Sequence, residues 1–357
     1  MTDGQPSERF GVGKLPSAFL ARLLATYAPG DDGVIVGPGI GRDAAAIAFG
    51  DRILVAKTDP ITFATEHAAT YLVDVNGNDL ACLGARPRWL LVTALLPEGI
   101  SAGEVETQFA ELAAACAARG IALVGGHTEV TAGLERTILV GMILGETTGD
   151  GLLRPGGAQP GDRLLLTKGI ALEGTALLAR ERAAELSAAL GDALVQRAQH
   201  LLVEPGISVV RDVEVLLPVG GITALHDPTE GGLGMGVREL GSAAACGALL
   251  FEERLPILPE TRVIADAFGL DPLGMLASGA LLVAARPDAV PALVAAADDA
   301  GIPIADVGEV LPEAEGFALM TTTGRQPLPE WTTDEVSRAL AAGLPAAALS
   351  SAAARMP

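Results

Sequence analysis

Residues 155–161, PGGAQPG, constrain this chain more than any other feature. Two prolines and three glycines within seven residues cannot continue a helix or fill a central strand. On both sides of this break, short apolar runs alternate with stretches of helical period. Before it stand a helix over 17–27, two or three strands with tight turns over 33–60, a helix over 65–84 and a buried strand over 88–97. A helix over 101–120 follows, with Ser101 as N-cap, Glu104 at the capping-box position and Gly120 as stop. Strands IALVGG and RTILVGMILGE (136–146) complete the first half. After the break the alternation restarts with RLLLTK and LEGTALLARERAAEL and runs to IPIADVGEV. The expectation is two α/β (α+β) domains, 1–154 and 155–357.

Charge and composition narrow the function. The chain has 24 Lys and Arg against 44 Asp and Glu, a net charge of −20, so no general positive field exists to hold a nucleic acid. The longest charge-free stretch, 339–354, is broken by Pro345 and is shorter than the roughly 20 apolar residues of a membrane span. The first residues, MTDGQPSERF, lack the apolar core of a signal peptide. Cys82, Cys116 and Cys246 sit among Ala and Leu at no metal or disulfide spacing and read as buried thiols. These features favour a cytoplasmic protein with neither membrane nor nucleic-acid partners.

Common catalytic loops are missing. GVGK (11–14) ends like a Walker A loop, but Glu8 and Leu15 stand where that motif needs Gly and Ser or Thr. No Rossmann fingerprint, nucleophile elbow or zinc motif occurs.

Carboxylates stand out instead. Asp43 (GIGRDAAAI), Asp59 (VAKTDP) and Asp79 (VNGNDLA) lie in turns or at element ends, and Lys57 precedes Asp59 by two. Carboxylates converging from different elements make a hard-oxygen site suited to Mg²⁺ carrying phosphate. Each taken alone is also an ordinary turn former or cap. Along 65–84, His67, Tyr71, Asp74 and Asn78 share one helix face. That face ends in NGND, which holds both asparagines of the chain, Asn76 and Asn78. Lysine is equally scarce: Lys14, Lys57 and Lys168. Two further polar turns are candidates. GGHTEVT (125–131) offers His127, Thr128 and Glu129 after glycines that let backbone approach a ligand. HDPTEGGLG (226–234) offers Thr229 and Glu230 before a helix N-terminus able to attract phosphate.

In this order GPGIGRDAA, AKTDPIT, VNGNDLACLGARP, VGGHTEVT, HDPTEGGL and PLGMLASGALL resemble the aminoimidazole ribonucleotide (AIR) synthetase superfamily. The likeness spans roughly residues 11–312 and is nearest the HypE-like, AIR synthase-related branch. It implies an N-terminal α/β domain that pairs across a homodimer to build a shared β-barrel, with a C-terminal α+β domain beside it. It implies ATP and Mg²⁺ in the cleft. Asp43, Asp59 and Asp79 would hold magnesium, and the segment ending at Lys14 would fold over the nucleotide. The nucleotide set would be Lys14, Asp43, Thr58, Asp59, Asn76, Asn78, Asp79, Gly126, Thr128, Asp227 and Thr229. Lys57, His127, Glu129 and Glu230 would act in catalysis. The implied reaction activates a carbonyl or phosphate oxygen of a small molecule or carrier protein by phosphoryl transfer, as in hydrogenase maturation. The alternatives are a non-catalytic nucleotide-binding homologue and a small-molecule kinase like thiamine-monophosphate kinase. Two departures stand out. His127 replaces an acidic residue common in the family. The chain ends SSAAARMP, without the terminal cysteine on which HypE acts. Selenophosphate synthetase is disfavoured, because the N-terminal glycine segment holds no cysteine.

Overall fold

The computed structural model describes residues 15, 17–28, 31–42, 44–62 and 66–345. Lys14 and Asp43 lie outside the described residues. A first sheet uses β1 (Val34–Val36), β2 (Ala45–Phe49), β3 (Arg52–Ile61), β4 (Arg86–Pro97), β5 (Ala122–Thr131) and β6 (Ile138–Thr147). Its order is β1-β2-β3-β6-β4-β5, with only β4 and β5 parallel. A second sheet uses β7 (Arg163–Thr167), β8 (Ile222–His226), β9 (Cys246–Phe251), β10 (Leu282–Ala285), β11 (Ile304–Pro312), β12 (Phe317–Thr321) and β13 (Gly324–Pro327). Its order is β13-β12-β9-β11-β7-β10-β8. The helices are α1 (Ser17–Tyr27), α2 (Ala68–Cys82), α3 (Ala102–Ala118), α4 (Leu172–Glu181), α5 (Ala183–Leu190) and α6 (Asp192–His200). They continue with α7 (Val210–Leu216), α8 (Gly232–Ala243), α9 (Pro259–Phe268), α10 (Val290–Asp299) and α11 (Glu335–Ala342). Mixed sheets flanked by helices make a two-part α/β fold, as expected. The first sheet is open within one chain, with β1 and β5 at its edges among the described residues.

The helix α2 sits between the two halves. Leu72 and Leu80 join the core of the first sheet, whereas Tyr71 and Val75 pack into the core formed by α4, α6 and α9. Thirteen of its fifteen residues are buried, including Asp74, Asn76, Asn78 and Asp79. Fully burying a Leu-sized side chain contributes about 1.5–3 kcal/mol, so two such faces anchor α2 firmly. Tyr71, Asp74 and Asn78 of the expected polar face are therefore buried, whereas His67 is exposed and precedes the helix as a left-handed N-cap. Buried polar groups need partners, and the arrangement of those partners defines the site.

No described helix is long and apolar enough to cross a membrane. The cysteines are free and buried, as their surroundings predicted.

Candidate active site

Lys57 and Asp59 lie two apart on β3 and so share one face, whereas Thr58 points to the other. The Lys57 Nζ is 3.1 Å from Asp59 Oδ2 and 2.9 Å from Asp79 Oδ2 of α2. Asp79 is almost fully buried, with its side chain 5% exposed, while Asp59 is 37% exposed. One cation thus holds two carboxylates from different elements within a short span.

Buried amides position this cluster. Pairing of β2 with β3 ends at Ala56, which leaves that edge of β3 open beyond it. Asn76 takes over there: its Oδ1 accepts from Asp59 N at 2.9 Å, and its Nδ2 donates to Leu72 O at 2.9 Å. Asn78 instead reaches the second half of the chain. Its Nδ2 donates to Ile207 O at 2.9 Å and its Oδ1 accepts from Val209 N at 2.8 Å. Both amides act on backbone, one fixing Asp59 and the other locking α2 to the 207–209 segment. Between those two residues, Ser208 O accepts from Lys168 Nζ at 2.6 Å. Lys168 is buried and 3.3 Å from Asp212, which also accepts from Thr167 Oγ1 at 2.6 Å. Burial lowers the Lys168 pKa, and the charge of Asp212 opposes that. Arg119 grips Asp74 through two parallel bonds of 2.5 and 2.8 Å, the geometry that offsets the cost of burying a carboxylate.

The 226–231 turn packs against the end of α2. Cys82 of α2 lies with its thiol 3.9 Å from Asp227 Oδ1, and Asp227 is 1% exposed. His226 Nε2 is 3.0 Å from Glu239 Oε2 of α8. The turn over 37–41 abuts the same helix, since a Cβ on Gly41 would lie 2.5 Å from Glu239 O. The candidate turns of both halves therefore flank α2 and α8.

Other expected residues are elsewhere. The segment HTEVT was read as a turn, but it continues β5 as an edge strand paired only with β4. That pairing is long-range and invisible to local pattern. Gly126 is indispensable there: its φ is 146°, and a Cβ would lie 1.9 Å from Val92 O of β4. His127 Nε2 is 3.1 Å from Glu129 Oε2, and Thr131 donates to the same carboxylate at 2.9 Å. Those bonds hold Glu129 below the usual carboxylate range, with His127 the larger cause. Between β3 and β5 stand β6 and β4, so the two strands are about 14 Å apart across the sheet, and the register sets His127 in line with Pro60 rather than Lys57. Within one chain Thr128, His127 and Glu129 do not join the Lys57 cluster.

Pattern reading missed a third group. Glu173, in the first turn of α4, is 6% exposed beside Ser278, with Asp334 and Glu230 close by. Burial pushes Glu173 up to about 7, against the opposing bonds from Ser278. Burial likewise pushes Asp334 up to about 6. The only hint was Ser278 within PLGMLASGALL, because no spacing links residues 173, 230, 278 and 334.

Among the described residues no three His, Cys, Asp or Glu side chains form a metal cluster. Asp59 and Asp79 supply hard oxygens of the kind Mg²⁺ takes, and they fit that ion in donor chemistry.

The two-sheet architecture defines the class. Residues 41–147 match the family model "AIR synthase related protein, N-terminal domain", and 159–320 match "AIR synthase related protein, C-terminal domain". Together these matches cover well over half of the sequence, and the chain belongs to the AIR synthase related family. It is 30% identical over 317 residues to carbamoyl dehydratase HypE of Cupriavidus necator, covering 83% of this chain and 84% of that protein. The kinship places the chain among enzymes. Among solved structures, the hydrogenase maturation protein HypE in complex with ATP has a TM-score of 0.68 at 23% identity, covering 91% of this chain and 98% of that one. A HypE–HypF complex gives 0.68 at 21% identity, covering 82% and 94%. A ThiL complexed with AMPPCP and TMP gives 0.69 at 18% identity, covering 88% and 95%. At these identities the structural likenesses show the fold.

Proposed function

We propose that the chain is an ATP- and Mg²⁺-dependent enzyme that activates a carbonyl or phosphate oxygen by phosphoryl transfer, in hydrogenase maturation. One observation carries this reading: Lys57 bridges Asp59 and Asp79 at the end of β3, and the Asp227 turn is held against the same helix. Phosphoryl transfer needs positioning and charge compensation more than covalent chemistry. Lys57 supplies a fixed positive charge, and the two carboxylates supply hard oxygens. Asp59, Asp79 and Asp43 would hold Mg²⁺, which neutralises phosphate charge when bound. Asn76 fixes the backbone of Asp59, and Asn78 keeps α2 aligned with the second half. The kinship to a carbamoyl dehydratase and the ATP in a structural neighbour's complex support the reaction type. Cys82, Cys116 and Cys246 are 2%, 2% and 6% exposed, so none of these three thiols carries the acceptor group, for which a small molecule or a carrier protein is the proposed source. The HypE–HypF complex is a precedent for a protein partner.

The reading includes domains 1–154 and 155–357, a cytoplasmic location and a homodimer. In the dimer, β5 meets its counterpart to build a shared barrel. The exposed edge supports this. Leu123, Val124 and Val130 are 38%, 54% and 59% exposed on β5, beside a cavity of about 410 Å³ lined by Val92, Phe109 and Leu112. A partner's β5 there would bring a second His127 and Glu129 toward the nucleotide.

Titration calorimetry with ATP and Mg²⁺ tests the reading. Wild type binds, and Asp43/Asp59/Asp79→Asn together abolish binding. Undiminished binding by that variant, or none by wild type, refutes it.

A further inference from the structure

The segment 328–342 lies beyond the family match, which ends at residue 320, yet it runs directly over the candidate turn. Leu328 N donates to Phe317 O at 3.0 Å, and the Arg238 guanidinium of α8 holds the carbonyl of Leu328. The Trp331 ring is seated on two glycines: a Cβ on Gly234 or on Gly274 would lie 2.1 Å from a ring atom. Asp334 then makes two bonds in opposite directions. Its Oδ1 accepts from Val336 N at 2.7 Å, the ordinary N-cap of α11. Its Oδ2 accepts from Gly231 N at 2.7 Å, one residue after Glu230. Thr229 O in turn accepts from Gly232 N at 3.0 Å and Ala277 N at 3.2 Å, so the turn is held from three sides. Arg338 ties the far side of α11 to Gly269 O at 2.7 Å. The N–H of Gly231, the N-cap of α8, is thus taken by a carboxylate of the chain itself, next to the helix start expected to attract a phosphate.

We propose that Asp334 is a positioning residue: its carboxylate fixes the 229–231 turn, and the segment 328–342 is a strap that sets Thr229 and Glu230 toward substrate. The proposal rests on the phosphoryl-transfer reading for its functional consequence, but not for the hold on the turn. With its carboxyl pushed up to about 6 by burial, Asp334 is ionised at neutral pH and accepts both bonds as a charged group. Glu230 beside it adds repulsion that the backbone donors of Gly231, Val336 and Leu276 offset.

Hydrogen exchange of the full-length protein without nucleotide decides the matter. Asp334→Ser keeps a good N-cap for α11 but is too short to reach Gly231. It should raise exchange over 229–232 by about tenfold, the loss of roughly one charged hydrogen bond, while α11 changes by less than about twofold. Asp334→Ala should loosen both. If Asp334→Ser leaves 229–232 protected, Asp334 is only a helix cap and the proposal fails. If Asp334→Ala does not fold, the serine variant still decides. In the same variant ADP release from MgATP should fall about tenfold, and the affinity for MgATP should weaken as well, because Thr229 belongs to the expected nucleotide set, while the Lys57 cluster is untouched. Undiminished ADP release overturns the functional part. Absence of MgATP binding by wild type removes the phosphoryl-transfer reading alone, and the exchange result still stands.

Discussion

Glu173→Gln offers the sharpest test of the buried carboxyl cluster. Glu173 is 6% exposed, and burial raises its pKa from 4.5 to about 7, with Asp334 and Glu230 adding repulsion. The fold therefore prefers the protonated form. Between pH 4.5 and 7 the folded chain binds more protons than the unfolded chain, so stability falls as pH rises through that window. Above about pH 7 the loss is complete. A separation of about 2.5 pH units corresponds to about 3 kcal/mol. Glutamine has the same shape and does not titrate. Urea unfolding of wild type and variant at pH 5, 6, 7 and 8 should give difference curves that diverge steadily and level off. The variant gains roughly 2–3 kcal/mol relative to wild type between pH 5 and 8, since part of the full separation is already lost at pH 5. Asp334 titrates in the same direction in both proteins and largely cancels in the comparison. Parallel curves for the two proteins would show that Glu173 is not held protonated, and the electrostatic argument for this cluster would fall.

Three further outcomes follow from the geometry. Gly126→Ala places a Cβ 1.9 Å from a β4 carbonyl at a φ of 146°, so stability should drop by about 3 kcal/mol or more, read as a lower melting temperature. Asn78→Leu leaves Val209 N–H and Ile207 O buried without their partner. It should cost about 2–5 kcal/mol in denaturant unfolding, and an unchanged midpoint would refute the lock between α2 and the second half. Val124→Arg on the open β5 edge should convert a dimer to a monomer in sedimentation while circular dichroism stays unchanged, and a persisting dimer would place the interface elsewhere.

Local chemistry was legible wherever it closes on itself. The capping box of α3 was read from Ser101 and Glu104 alone, and both of its bonds are present, at 3.3 and 2.8 Å. Lys57 and Asp59 share a face because a strand has period two, and their place in one cluster with Asp79 agrees with the carboxylate reading. Periodicity also placed Tyr71, Asp74 and Asn78 on one side of α2, although His67 precedes the helix, and it cannot distinguish a solvated polar face from a buried one. The partners of that face, Arg119, Ile207 and Val209, come from distant segments.

The alternation of strands and helices up to IPIADVGEV, the break at 155–161 and the ordered Gly, Asp and Lys motifs were thus written in the chain itself, since each depends on neighbours a few residues apart, whereas β12, β13 and α11 went unread. Tertiary structure alone decided that HTEVT is an edge strand and that α2 is buried on both sides. It also decided that Asp334 closes on Gly231 across 103 residues. The reason is physical. Strand pairing and buried hydrogen bonds join groups distant in sequence, and their existence depends on which surfaces the hydrophobic cores bring together.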